Sequence, residues 1–251
     1  MFTFFIKKRY LVDCLNGFVD IHNHILPGID DGAKNVEESI ELVKGFREFG
    51  VNKFICTPHI MHNYYDNTPK SIKKSFKILK KELKNNNIDY VDINYAAEHM
   101  IDENFEHLLD DNEVLPLNSN HILIEMSYLQ PSLSFNQAVE NIKSKGLFPV
   151  FAHPERYQYL NTDLKNYEKL KSQGLKFQLN LLSLGGYYGT DVKRAALQLL
   201  ENNLYDFLGS DAHSITHIQS LKSIKLKERY ATNLLHLINN NRKLLEDDKF
   251  N

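Results

Sequence analysis

Three observations predict an α/β fold of parallel strands closed into a barrel. First, seven short apolar, β-prone runs recur along the chain, at 18–22, 53–57, 91–96, 121–126, 148–152, 176–180 and 206–210. Second, segments of helical period separate most of them, with no linker, repeat or low-complexity stretch between. That alternation favours parallel strands joined by right-handed crossovers. Third, His, Asp and Glu gather where the runs end, and parallel barrels collect their chemistry at the C-terminal strand face. An open sheet is the alternative. The expected organisation is a short extension, residues 1–17, then one domain over 18–251 that finishes in a helical tail.

Each element has a local reason. After the first run, Val36, Ile40, Val43, Phe46 and Phe49 recur at helical spacing, Asn35 can cap, Glu38 holds the capping-box position and Gly50 stops the helix. After the second, Thr68-Pro69 opens a helix with Ile72, Phe76, Leu79 and Leu83 on one face and seven lysines between Lys70 and Lys84 on the other. That lysine face reads as solvated surface. The third run leads into a weaker segment, 102–111. Ser134 to Gln137 reads as a capping box before Phe135, Val139 and Ile142, with Gly146 as the stop. Helices are expected over 161–172 and 190–202. The tail is expected to be helical from Ser214 to about Leu245, with a frayed polar end.

Composition narrows the class. Across 251 residues, 42% are hydrophobic and 25% charged, which is ordinary for a soluble globular protein. A formal net charge of −2 provides no field for nucleic acid or an anionic membrane. Two separated cysteines, Cys14 and Cys56, make no disulfide framework and fit a reducing compartment. The apolar start, 1–6, is short, and Lys7, Lys8 and Arg9 follow it, the reverse of a secretory signal. No run reaches membrane-span length. A cytoplasmic protein is expected, with a weak surface contact by Phe2, Phe4 and Phe5 left open.

The chemistry lies at the run ends. His22 and His24 stand two apart, so on a strand they share a face, and Asp31 follows closely. The second run ends at His59, the third at Glu98 and the fourth at Glu125. The fifth is followed by His153 and Arg156, the sixth ends in Gln178 to Asn180, and the seventh is followed by Asp211 and His213. A core strand end has no structural need for such groups, and burying them unpaired costs several kcal/mol each. Cations repay that cost, and His with carboxylate but no thiolate suits Zn, Mn or Fe. The other histidines, at 62, 99, 107, 121, 217 and 236, read as surface or structural, with His62, His99 and His217 close enough to support ligands.

His22-x-His24, Thr57-Pro58-His59, Glu98, Glu125, His153 to Tyr157 and Ser210 to His213 resemble, in order, the motifs of the PHP (polymerase and histidinol phosphatase) domain. Asp20 to Ala33 and the 183–189 loop are similar to the PHP-type protein-tyrosine phosphatases of bacterial capsule and exopolysaccharide loci. The resemblance covers about 18–213. It implies a distorted (β/α)7 TIM-like barrel with two or three divalent metals, Mn or else Fe or Zn. One metal would take His22, His24, Glu98 and Asp211. A second would take Glu98, Glu125 and His153, and a third Asp31, His59 and His213. Arg156 would contact phosphate, and Arg156, Asp211 and His213 would carry catalysis. Some members place a second arginine past the Asp-x-His motif, where this chain has Ile215-Thr216-His217-Ile218.

The implied reaction is phosphotyrosine hydrolysis by a metal-activated hydroxide. The implied substrate is the tail of a bacterial tyrosine kinase. The alternative is a small phosphoester such as histidinol phosphate. A cysteine mechanism is closed, because the residues six past Cys14 and Cys56 are Asp20 and His62 rather than arginine. An amidohydrolase would want a bridging lysine, which no run end offers. Tyr64, Tyr65, Tyr187 and Tyr188 are placed in loops on the site side.

Overall fold

The apolar runs pair side by side in the computed structural model, which describes residues 8–246. In chain order the strands are β1 (Lys8–Tyr10), β2 (Val19–Asp20), β3 (Lys53–Cys56), β4 (His59–Ile60), β5 (Asp92–Tyr95), β6 (Glu98–Met100), β7 (His121–Glu125), β8 (Phe148–Ala152), β9 (Lys176–Asn180), β10 (Phe207–Gly209) and β11 (Lys225–Lys227). The helices are α1 (Val36–Arg47), α2 (Pro69–Asn85), α3 (Phe105–Asp110), α4 (Phe135–Ser144), α5 (Leu164–Ser172), α6 (Thr190–Glu201), α7 (Ile215–Ser223) and α8 (Arg229–Glu246). All seven predicted runs contain a strand. Phe2, Phe4, Phe5 and the polar end of the tail lie outside the described residues.

The strands form a parallel six-stranded sheet, β10-β9-β8-β7-β6-β4, and a parallel three-stranded sheet, β2-β3-β5. β3 and β4 are one run bent at Thr57-Pro58, where the proline has no N–H to give a ladder. β5 and β6 are likewise one run bent at Ala96-Ala97. Ala96 N donates to Cys56 O and Glu98 N to Pro58 O, so both bent runs pass from one sheet into the other. On the far side, the chain past β2 meets the chain past β10. Asp211 N donates to His22 O at 2.7 Å, and His24 N to Ala212 O at 3.0 Å.

Parallel strands covered on both faces read as near-continuous apolar runs. Along β7, Ile122 and Ile124 face the large core under the helices, while Leu123 faces a smaller core enclosed by the strands with Val19, Ile21, Ile55 and Val150. Asn241 of α8 bridges β2 and β10. Its side chain donates to Val19 O and Leu208 O and accepts from Leu208 N. Asp20 adds a second lock, accepting from Ser210 N at 3.0 Å and Ser210 Oγ at 2.6 Å.

Several local expectations are corrected. The tail is not one helix: β11 interrupts it by pairing antiparallel with β1. Leu226 is buried there, a long-range pairing that no local pattern announces. Leu11 and Leu15 are fully buried, so the chain ahead of Phe18 packs into the core from Leu11 onward, while Lys8 to Tyr10 stay exposed. Ser134 caps nothing, and its hydroxyl pairs with Ser132 instead. Asn35 does cap α1, but Glu38 reaches back to Lys34 N rather than to the cap residue. The capping box at α2 is formed by Thr68 and Ser71. α5 starts at Leu164 with Asp163 as its cap, because Asn161 is engaged by Glu155 O and the Tyr167 hydroxyl. Among the described residues, no helix is long and apolar enough to cross a membrane.

Candidate metal centre

The ends of the parallel strands bring all nine predicted metal residues to one floor. His22 and His24 follow β2, with Asp31 in the next loop. His59 lies on β4, Glu98 on β6 and Glu125 at the end of β7. His153 follows β8, and Asp211 and His213 follow β10. Ligand atoms fall within 4.8 Å of one another in four sets: His24, Asp31, His59 and His213; His22, His24 and Asp211; His22, Glu98 and His153; His59, Glu98 and Glu125. Glu125 thus groups with His59, and His153 with His22. Glu155, though next to Pro154 in the motif, joins no set. It accepts from Asn180 N and the Tyr205 hydroxyl, and burial pushes its carboxyl up to about 7.

Hydrogen bonds behind the rings fix which nitrogen faces the floor. Gln178 Nε2 donates to Leu179 O, which turns its Oε1 toward His22 Nδ1 at 2.7 Å. His24 Nδ1 donates to Asp30 Oδ2 at 2.7 Å, and His213 Nδ1 to Asp211 O at 2.8 Å. With Nδ1 carrying hydrogen in all three, each Nε2 presents a lone pair. His22 Nε2 lies 3.2 Å from Glu98 Oε2, and His24 Nε2 lies 3.4 Å from Asp211 Oδ1. Asp31 Oδ1 is 3.5 Å from Nε2 of both His59 and His213.

The residues fit a divalent cation. His59 Nδ1, Glu98 Oε2 and Glu125 Oε1 are buried and make no hydrogen bond. Yet His59 Nδ1 stands 2.8 Å from Glu125 Oε1 and 3.1 Å from Glu98 Oε2. Buried polar atoms that crowd together without bonding need a shared charge to satisfy them. The electrostatics agree. Burial disfavours charge on His22, His24 and His59, yet Glu98 acts on the first, Asp30 on the second and Glu125 on the third, holding all three above the ordinary histidine value. Burial likewise opposes ionisation of Glu98 and Asp211, but the neighbouring histidines, His22 foremost, hold both well below the usual carboxylate range. The cluster therefore stores protons that a cation would displace.

Backbone strain and close approach mark the same floor. His153 and Asp211 both have left-handed backbones, with φ of 35° and 52°. Such conformations cost about 1–3 kcal/mol each and persist where the surroundings dictate them. Two glycines provide room. A Cβ on Gly32 would lie 2.1 Å from His24 O, and one on Gly209 would lie 2.5 Å from His22 Cβ.

Arg156 stands beside the floor with its guanidinium between two rings, 4.5 Å from the centre of Tyr128 and 4.1 Å from that of Tyr188. Its Nη1 donates to Asp211 Oδ2 at 2.6 Å, and Asn180 Nδ2 donates to the same oxygen at 2.7 Å. Burial opposes the charge, while Asp211 and the two rings keep the group protonated. Tyr64, Tyr65 and Tyr188 line the cleft above the floor, whereas Tyr187 packs edge-on against His217. His99 is buried and structural: Nδ1 donates to Leu123 O and Nε2 accepts from Leu115 N. His217 supports its neighbour, its Nδ1 accepting from His213 N.

Sequence reasoning assigned no role to Asp30, Gln178, Asn180 or Tyr128. The first three carried a usable signal, because Asp30 adjoins Asp31, and Gln178 and Asn180 share one strand face. Tyr128 carried none, since its place over Arg156 is a tertiary fact.

The chain matches the family model described as capsular polysaccharide synthesis, CpsB/CapC, over residues 18–246. CapC of Staphylococcus aureus is 34% identical over 203 residues, 79% of this chain and 78% of that one. The tyrosine-protein phosphatase YwqE of Bacillus subtilis is 31% identical over 232 residues, 90% of this chain and 91% of its own. Among solved structures, one of a study of YwqE from B. subtilis and CpsB from Streptococcus pneumoniae, described as metal-dependent tyrosine phosphatases, superposes with a TM-score of 0.81 at 30% identity. It covers 92% of this chain and 95% of that one. A strand-end floor of converging imidazole and carboxylate, in a chain matched from residue 18 to 246, has one conclusion: this protein belongs to the CpsB/CapC family of capsular polysaccharide synthesis.

Proposed function

We propose that this chain is a metal-dependent protein-tyrosine phosphatase of capsule or exopolysaccharide synthesis. The observation that carries the reading is the set of buried, unbonded His59, Glu98 and Glu125 atoms beside a clamped arginine. In this reading the two sheets act as one distorted (β/α)7 barrel. His22, His24, Asp31, His59, Glu98, Glu125, His153, Asp211 and His213 hold two or three ions, manganese first among candidates. The protein works in the cytoplasm, and its substrate is the phosphorylated tail of a tyrosine kinase.

A bound divalent cation supplies Lewis acidity and makes water a nucleophile near neutral pH. The chain does the rest. Phosphoryl transfer spreads charge over the non-bridging oxygens, and Arg156 can donate to them without covalent chemistry. The Tyr128 and Tyr188 rings hold the guanidinium by stacking and cation–π contact, leaving its in-plane N–H groups to donate. Asp211 holds the guanidinium from Oδ2, and Asn180 holds Asp211. Gln178 and Asp30 keep the Nε2 lone pairs of His22 and His24 turned inward. The leaving phenol has a pKa of about 10, so little acid assistance is required.

The test is release of phosphate from a phosphotyrosine peptide, histidinol phosphate and a phosphoserine peptide by chelator-stripped enzyme, with and without added Mn²⁺. Metal-restored, phosphotyrosine-selective release is expected. Turnover confined to histidinol phosphate would keep the metal floor and overturn the substrate.

A further inference from the structure

The cleft above the floor is larger, and more apolar at one side, than a phosphate monoester needs. Its volume is about 1400 Å³, whereas sites for small molecules run to roughly 300–1,000 Å³. One end holds Arg156 and the ligand cluster. Its lining also includes an apolar wall of Met61, Tyr64, Met100, Leu129, Pro131 and Leu133. Leu133, Leu129 and Tyr64 are 105%, 92% and 78% exposed, the three highest values among the exposed large hydrophobic side chains of the described residues. All three lie in one cleft. Water-facing apolar side chains gathered at a concave site are a recognition feature, because single ones are scattered at random.

The wall comes from three segments, Met100 on β6 and two loops, and both loops are anchored. After β4, Met61 and Tyr65 exchange backbone hydrogen bonds of 3.0 and 2.8 Å, closing a turn that holds Tyr64 outward. After β7, the Tyr159 hydroxyl donates to Ser127 O at 2.9 Å, and Leu129 N donates to Ser127 Oγ at 3.2 Å. Asp102 and Glu103 edge the same wall. Their charges disfavour an acidic neighbour there.

We propose that this wall binds the polypeptide next to the phosphotyrosine and takes an apolar or aromatic side chain flanking it. The inference rests on the phosphotyrosine reading and adds its sequence preference. The occupant is an extended segment, because only a chain can fill both ends of the cleft at once. A strand advances about 3.3 Å per residue, so neighbours of a phosphotyrosine seated at Arg156 fall along the wall. A small phosphoester would occupy the floor end and leave the wall wet.

The experiment compares kcat/KM of the Mn²⁺-loaded enzyme on free phosphotyrosine and on three peptides of equal length, with leucine, glycine or aspartate on both sides of the phosphotyrosine. The leucine-flanked peptide should exceed the glycine-flanked one by about tenfold, with the gain in KM and the aspartate-flanked peptide lowest. In the Leu129→Ser/Leu133→Ser double variant, the ratio of leucine-flanked to glycine-flanked peptide should fall to within about twofold of unity. Equal values for all three peptides in the native protein, or an unchanged ratio in the double variant, would overturn the inference. Failure to hydrolyse free phosphotyrosine and all three peptides would instead overturn the reading on which it rests.

Discussion

The floor has two halves, and they are built differently. The inner half, His22, His24, Glu98, Glu125, His153 and Asp211, is buried to 2% exposure or less. Two of its three histidines lean on fixed partners, Gln178 behind His22 and Asp30 behind His24. The outer half is open: the Asp31 side chain is 50% exposed, and those of His213 and His59 are 17% and 11%. Asp31 lies in a loop and stands 3.5 Å from both His59 and His213. Buried, hydrogen-bonded ligands are preorganised and hold charge strongly in a low dielectric, whereas exposed ones are screened. On the proposed metal-dependent reading, the inner half would hold its cations tightly, and the outer half would hold one that exchanges more readily.

The largest test strikes the inner half. Asp211→Asn removes a carboxylate shared by His22, His24 and Arg156 while tolerating the left-handed backbone. Turnover of a phosphotyrosine peptide should fall on the order of 10³-fold, with the circular-dichroism spectrum unchanged. A residual rate within tenfold of native would remove Asp211 from the mechanism.

A smaller effect should come from behind the ligands. Asp30→Asn leaves His24 in place but weakens the acceptor that fixes its ring. Metal affinity, read by competition with a chromogenic chelator, should drop about 10–100-fold. Native affinity would show that the tautomer of His24 does not matter. The same titration carries a pH dependence. His24 is neutral only above its raised value, so in the native protein affinity should climb through a window above the ordinary histidine range. Asp30→Asn removes the carboxylate that raises it, so the window should move down in pH.

The smallest effect belongs to the outer half. Asp31→Asn should cost about tenfold or less in kcat/KM, recoverable with excess metal, because the lost ligand is half exposed. A loss as deep as that of Asp211→Asn would erase the distinction between the halves.

How much of this was legible depends on range. The seven runs were readable because apolar, β-prone segments bounded by helical period are local patterns, and each contains a strand. The floor residues were readable because a histidine or carboxylate closing an apolar run contradicts its surroundings. The β1–β11 pair was not, since its partners lie more than two hundred residues apart and only three residues long. Nor was the absence of a cap at Ser134: the pattern was present, but Ser132 took the hydroxyl.

Local chemistry therefore specified the strands, most of their helices and the inventory of candidate ligating side chains, because periodicity and residue type act over a few positions. Only the tertiary structure decided how that inventory is shared. It grouped His59 with Glu125 and His153 with His22, turned Gln178 and Asp30 into supports, and stacked Tyr128 and Tyr188 on Arg156. Distances between strand ends depend on how the bent runs at Pro58 and Ala96 carry one sheet into the other, and that closure involves the whole chain at once.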